Sequence, residues 1–260
     1  MADDQLSELS ARIISRTRNL IDEARSRDIV LRVLGGIAVL LHSHGRIHPL
    51  LLREIRDADL VVEKGKAKQL IAMFRELGYE ENRRFNLLNG RERQIYYDPE
   101  NKTQLDVFVG EFNMCHRLPL GPRLALDAHT LPLAEVLLTK LQIVQLNDKD
   151  MKDVLLVLHQ HEVRPGDDGE AVNSAAMASA CAVDWGLYKT VTDNLHRIRE
   201  RLPGVGLATR EAAAIEGKIH AALDAIEQQP KSAAWKLRAL VGTRVRWYEL
   251  PEEVTGAIEM

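Results

Sequence analysis

Asp57 and Asp59 stand two residues apart in "REIRDADLVVE", residues 53–63, and the apolar run Leu60-Val61-Val62 follows at once. In a strand, residues i and i+2 share a face, so both carboxylates project the same way, about 6.6 Å apart along the chain. Like charges so placed repel unless water or a cation lies between them. A third carboxylate, Asp106, interrupts another β-type run, "TQLDVFVG" at 103–110. If that strand pairs beside the Asp59 strand, Asp57, Asp59 and Asp106 converge on one place. Such a cluster calls for divalent cations, and Mg²⁺ takes a few carboxylates together with substrate phosphates and water. Two such ions can hold an attacking oxygen and a leaving phosphate oxygen in line.

Two further features fit phosphate chemistry. Gly35-Gly36 falls between a strand signal and a helix signal. Glycines let the backbone come close to a ligand, and the free N–H groups of the next helix's first turn favour an anion; an ordinary turn is the alternative reading. Lys140 is the second feature. Positions 133, 136, 137, 140, 141 and 144 follow the spacing of one buried helix face, and all but Lys140 are Leu or Val. A lysine in an apolar stripe is paired, snorkels, or faces a ligand. Asp150 lies one helical turn before Val154 on the next apolar face, where it can meet Lys140.

Strands and helices must position these residues. An amphipathic helix spans 5–27, and a short β-branched run at 29–36 ends in the two glycines. A helix over 37–45 closes on Gly45, a strand covers 58–63, and a helix covers 64–79. Strand signals come next at 85–88, 91–98 and 104–110, joined by the turn chemistry of Asn89-Gly90 and 98–101. From Leu131 the pattern is helical, with helices over 131–147 and 148–162. The Pro/Gly/Asp cluster at 164–169 marks a boundary, and helices at 184–202 and 210–229 come after it. The expected architecture is α+β: a mixed sheet covered by helices in a domain over 1–163, then a helical C-terminal domain over 170–260.

Composition narrows the field of functions. The chain has 260 residues, 45% apolar and 28% charged, with a net charge of −3 and a pI near 6.3. No global field draws nucleic acid or anionic membrane. Two cysteines, Cys115 and Cys181, are far from a disulfide framework and read as buried thiols. The charged, amphipathic N-terminus is not a signal peptide, and nothing approaches a membrane span. A cytoplasmic protein is expected. The segment 231–248 mixes Lys231, Arg238, Arg244 and Arg246 with Trp235, Trp247 and Tyr248. That suits an amphipathic helix docking its aromatics, with contact to single-stranded RNA as the other reading.

In their order, these parts resemble the polymerase-beta-type nucleotidyltransferase superfamily, with its small bacterial abortive-infection-type, toxin-like members nearest. The family's strand–Gly-Gly–helix is matched by Gly35 and Gly36, and its Arg-x-Thr-x-Asp-x-Asp by Arg53, Asp57 and Asp59. Its later acid is matched by Asp106, its Leu-rich helix with a lysine by "LPLAEVLLTKLQIV", and its Lys-Asp-x-x-Asp by Lys149, Asp150 and Asp153. The likeness covers roughly residues 28 to 160. The family's Thr is Ile55 here, and the small hydroxyl residue after the glycines is Ile37, which removes two hydroxyls from the expected phosphate site.

The resemblance implies an Mg²⁺-dependent enzyme, with two ions, that moves a nucleoside monophosphate from an NTP to a hydroxyl acceptor. It implies Asp57 and Asp59 on the triphosphate's metal, and Asp106 on the second metal and helping to deprotonate the acceptor. Gly35 and Gly36 would cradle phosphates, Arg53 and Lys140 would neutralise charge, and Asp150 would orient Lys140 or contact the nucleotide. The acceptor is left open among a tRNA end, a small molecule and a protein side chain. The alternative is a non-catalytic nucleotide- or partner-binding module that keeps the fold, with Ile37 and Ile55 filling the phosphate volume.

Overall fold

The computed structural model describes residues 6–168 and 170–250. The chain's first five residues, Gly169 of the boundary cluster and the end of the closing segment lie outside the described residues. Helix α1 (Glu8–Ser26) starts at Ser7, whose Oγ accepts from the Ser10 N–H. Its buried stripe of Ile13, Thr17, Leu20, Ile21 and Ala24 recurs at helical spacing. That stripe packs against β1 (Leu31–Leu34) and β2 (Asp57–Val62). Between these strands runs α2 (Gly35–His42). After β2 come α3 (Ala67–Glu76), β3 (Glu80–Glu81), α4 (Arg83–Asn89), β4 (Arg93–Asp98) and β5 (Thr103–Val109).

The strands form a five-stranded sheet in the order β1-β2-β5-β4-β3. The β2–β5 pair is parallel and every other pair antiparallel. This is the mixed sheet of an α+β fold. Its central strands carry Leu60, Val61, Val62, Val107 and Phe108, all buried, as befits strands covered on both faces. A hairpin of β6 (Glu111–Asn113) and β7 (Arg117–Pro119) leads to α5 (Leu133–Leu141) and α6 (Asp148–Gln160).

A short parallel pair, β8 (Val163–Arg164) and β9 (Val172–Asn173), brackets the boundary cluster. Then come α7 (Ser174–Val183), α8 (Trp185–Arg201), α9 (Thr209–Gln228) and α10 (Ala233–Val241). Helices α7 and α8 pack on α5, and α9 packs on α6. Buried apolar side chains from Ile13 to Ile226 therefore form one connected core. No helix among the described residues is long and apolar enough to cross a membrane.

The structure departs from the sequence reading in three helices, and it adds the short strands β3, β6, β7, β8 and β9, which the sequence pattern does not mark. Residues 85–88, expected as strand, lie in α4, because Asn82 caps it by accepting from the Phe85 N–H at 3.1 Å. The helix expected over 131–147 ends at Leu141, so Val144 is not on its face. A turn then feeds α6, capped by Asn147 accepting from the Asp150 N–H at 3.0 Å. Helix α7 was not anticipated: its Ala- and Ser-rich sequence gives no one-sided apolar pattern.

Candidate functional site

Parallel pairing sets Asp59 directly opposite Asp106. Paired residues on neighbouring strands point to the same face, and Asp57, two residues before Asp59, shares it. On the other flank of β2, Leu34 lies opposite Asp59, so the turn from β1 into α2 is delivered against that carboxylate. Gly35 makes the approach possible: its φ is +64°, and a Cβ there would sit 2.2 Å from Asp59 Oδ2. No side chain caps the start of α2, and its first residue, Gly35, lines the cleft beside the acids. Gly36 does something else. A Cβ on it would lie 1.9 Å from Arg53 Nη2, so its bareness lets the guanidinium pass under the helix start.

Arg53 donates to Asp153 through Nε at 2.7 Å and Nη2 at 2.8 Å. Asp153 also faces Lys140, whose Nζ is 2.9 Å from Asp153 Oδ2 and 3.0 Å from Asp150 Oδ1. Asp150 and Asp153 stand three apart on α6 and so on one face, turned toward α5. Burial on its own would lower the Lys140 pKa, but Asp153, then Asp150, and beyond them Asp59 raise it overall, so the ammonium stays charged. Burial likewise pushes Asp153 up, and Lys140 and Arg53 overcome it, holding the carboxyl below the usual range. Gly35, Gly36, Arg53, Asp57, Asp59, Asp106, Lys140 and Asp150 thus come together, and Asp153 joins two of them.

Asp59 is the perturbed acid. Burial first, then the charges of Asp57 and Asp106, push it up to about 7. An edge of the residue reaches solvent in the cleft, while protein encloses its carboxylate on the other sides. Asp57 is exposed at the strand's start. Two like-charged carboxylates on one face, one of them resisting ionisation, fit a divalent cation between them.

Asp106 is held differently. Arg93 on β4 donates Nε to its Oδ1 at 2.8 Å and Nη2 to its Oδ2. The guanidinium carbon lies 5.3 Å from the Phe108 ring centre and 5.7 Å from that of Phe85. Burial raises the Asp106 pKa against the opposing pull of Arg93. Among the described residues no group of three His, Cys, Asp or Glu residues is arranged to hold a metal. Of the three carboxylates expected to share metal, Asp57 and Asp59 lie on one face of β2, and Asp106 beside them is ion-paired with Arg93. Arg93 was not singled out from sequence. Its signal lay in the alternation of β4, which puts Arg93 and Ile95 on one face, with Ile95 opposite Asp106.

The cleft over these residues measures about 260 Å³. Arg53, Arg56, Lys140 and Lys149 line it alongside the acids. Ile37 and Ile55 do not: both are buried in the core, so neither fills the phosphate volume. A roomier hollow of about 610 Å³ runs along β6 and β7 to Trp247 and Tyr248. A smaller hollow joins the two, sharing Phe108 and Met114 with the cleft, and Glu92, Asn113 and Glu249 with the hollow. Another, of about 450 Å³, lies beside α1 and the end of α2, away from the carboxylates.

No protein-family profile matches the chain, and no curated protein matches it. Among solved structures, an antigenic nucleotidyltransferase-like protein from Paracoccidioides brasiliensis is similar over 88% of this chain and 97% of its own. The identity is 16% and the TM-score 0.41, a likeness too distant to carry any inference about activity.

Proposed function

We propose that the protein is a nucleotidyltransferase that transfers a nucleoside monophosphate from an NTP to a hydroxyl group, releasing pyrophosphate. The observation behind this reading is Asp59 abreast of Asp106 on adjacent parallel strands, against a helix start that only glycine allows. A cleft of about 260 Å³ is slightly under the roughly 300–1,000 Å³ of whole-ligand pockets. It suits the triphosphate tail, with the base outside.

Asp57 and Asp59 would hold Mg²⁺, which when bound neutralises triphosphate charge and polarises the α-phosphate. The N–H groups at the uncapped start of α2 bind phosphate oxygens, and Lys140 and Arg53 stabilise the charge that grows on the leaving group. Asp106, its basicity raised by burial, accepts the proton of the acceptor hydroxyl. The acceptor oxygen bonds to the α-phosphorus as the bond to the α,β-bridging oxygen breaks. Pyrophosphate leaves with that electron pair. The acceptor approaches along the hollow that continues from Phe108 and Met114 past the β6–β7 hairpin. A tRNA end, a small hydroxylated molecule and a protein side chain are all compatible with it.

Incubation with labelled NTPs, Mg²⁺ and a crude tRNA pool, with pyrophosphate followed in parallel, tests catalysis and acceptor class together. Asp59→Asn should lower pyrophosphate release at least about 100-fold, the low end of what one catalytic group contributes. Undiminished transfer by that variant would sink the proposal. A second reading, a nucleotide-binding module without catalysis, draws support from the Arg93 clamp on Asp106. A metal-dependent thermal shift with NTP, unaccompanied by pyrophosphate release from the wild type, would favour it.

A further inference from the structure

We infer that the site takes one divalent ion and that the Arg93 guanidinium stands where a second would bind Asp106. The inference rests on the nucleotidyltransferase reading and specifies its metal requirement. The carboxylates of the cleft fall into two electrostatic classes. Asp106 receives a two-pronged guanidinium on both oxygens, the geometry in which arginine pairs most strongly with a carboxylate. Among the described residues Asp57 and Asp59 take part in none of the cleft's ion pairs, which are Arg53–Asp153, Arg56–Glu54, Arg93–Asp106, Lys140–Asp150 and Lys140–Asp153. A direct cationic partner is therefore lacking on the first pair and present on the third acid.

Arg93 is also fixed in place. Register with β5 sets it opposite Phe108 and diagonal to Asp106, and its guanidinium packs near the rings of Phe85 and Phe108. Side-chain exposure is 17% for Arg93 and 10% for Asp106. A second cation would have to displace a guanidinium already paired and packed near two rings, leaving two positive charges side by side in a largely enclosed place. Arg93 supplies a permanent positive charge on the acceptor side of the cleft without occupying the Asp57–Asp59 pair.

Equilibrium dialysis of the full chain against Mn²⁺ and saturating α,β-methylene ATP counts ions directly, without catalysis. The wild type should retain one Mn²⁺ per chain. Asp106→Asn should leave that ion's affinity within about twofold, whereas Asp57→Asn should weaken it at least about tenfold, one power of ten being about 1.4 kcal/mol. Arg93→Gln, which bares Asp106, should retain two. Two ions on the wild type, a tenfold loss in Asp106→Asn, or a count of one in a folded Arg93→Gln would overturn the inference while leaving the nucleotidyltransferase reading intact. If Arg93→Gln does not fold, the wild-type count and Asp106→Asn still decide. Retention of neither ion nor analogue by the wild type would overturn both.

Discussion

Asp59 lies between Asp57 and Asp106 on an enclosed stretch of β2, and burial followed by those two like charges pushes it up to about 7. In an unfolded chain the same carboxyl titrates near the ordinary value of about 3.9. Between those two values the folded state binds the extra proton. Raising the pH from about 4 to 7 therefore weakens the cation-free fold on this residue's account. Asp59→Asn removes the titrating group at little cost in shape. Its stability relative to the wild type should rise between pH 5 and pH 7.5, read as the difference in urea midpoints without metal. A flat difference would show that Asp59 ionises normally. Gly35, Asp57, Asp59, Asp106 and Lys140 were legible because each breaks a local rule: a glycine at a helix start, acids at strand mouths, a cation in an apolar stripe. Arg93 breaks none, since an arginine in a strand is ordinary until the register with β5 puts it beside Asp106.

Among the elements, α4 shows where periodicity misleads. Its Leu87 and Leu88 are 86% and 76% exposed, so of the strand-like apolar run only Phe85 is partly buried. What holds the helix is polar. Asn82 caps it, and Asn86 bridges to β4, donating Nδ2 to the Ile95 carbonyl at 3.1 Å and accepting the Ile95 N–H at 2.7 Å. These bonds also keep Phe85 near Arg93. Asn86→Ala strips the Ile95 N–H of its partner and should cost about 1–3 kcal/mol in urea unfolding. Leu87→Ser, on the solvent side, should stay within about 0.5 kcal/mol. Equal losses from the two would mean that residues 85–88 bury their leucines after all. Helices with one-sided apolar stripes, such as α1 and α6, were readable for the converse reason, because their burial pattern is written at 3.6-residue spacing. The α7 sequence, small on every side, announces no face.

Across the whole molecule, a net charge of −3 conceals a cleft where Arg53, Arg56, Lys140 and Lys149 meet the acids. Local field rather than the total decides what such a cleft attracts. The sequence break at 164–169 is a similar case of local and global readings diverging. Arg123 ties Asp167 of that loop to Glu135 of α5, and Asn194 of α8 donates to the carbonyls of Leu141 and Ile143. Helices α7 to α9 thus share one core with the sheet-bearing part. Cys181 of α7 is buried within that core, and burial pushes its thiol up to about 12. A free thiol titrates near about 8.5, so at pH 8 iodoacetamide reacts readily only with unfolded chains. Cys181 alkylation in a urea series should therefore share its midpoint with loss of far-UV helicity, because detaching α7–α9 would bare the faces of α5 and α6 to water. Alkylation at clearly lower urea would mean that the C-terminal helices open as a unit of their own, with the core divided at the 164–169 loop.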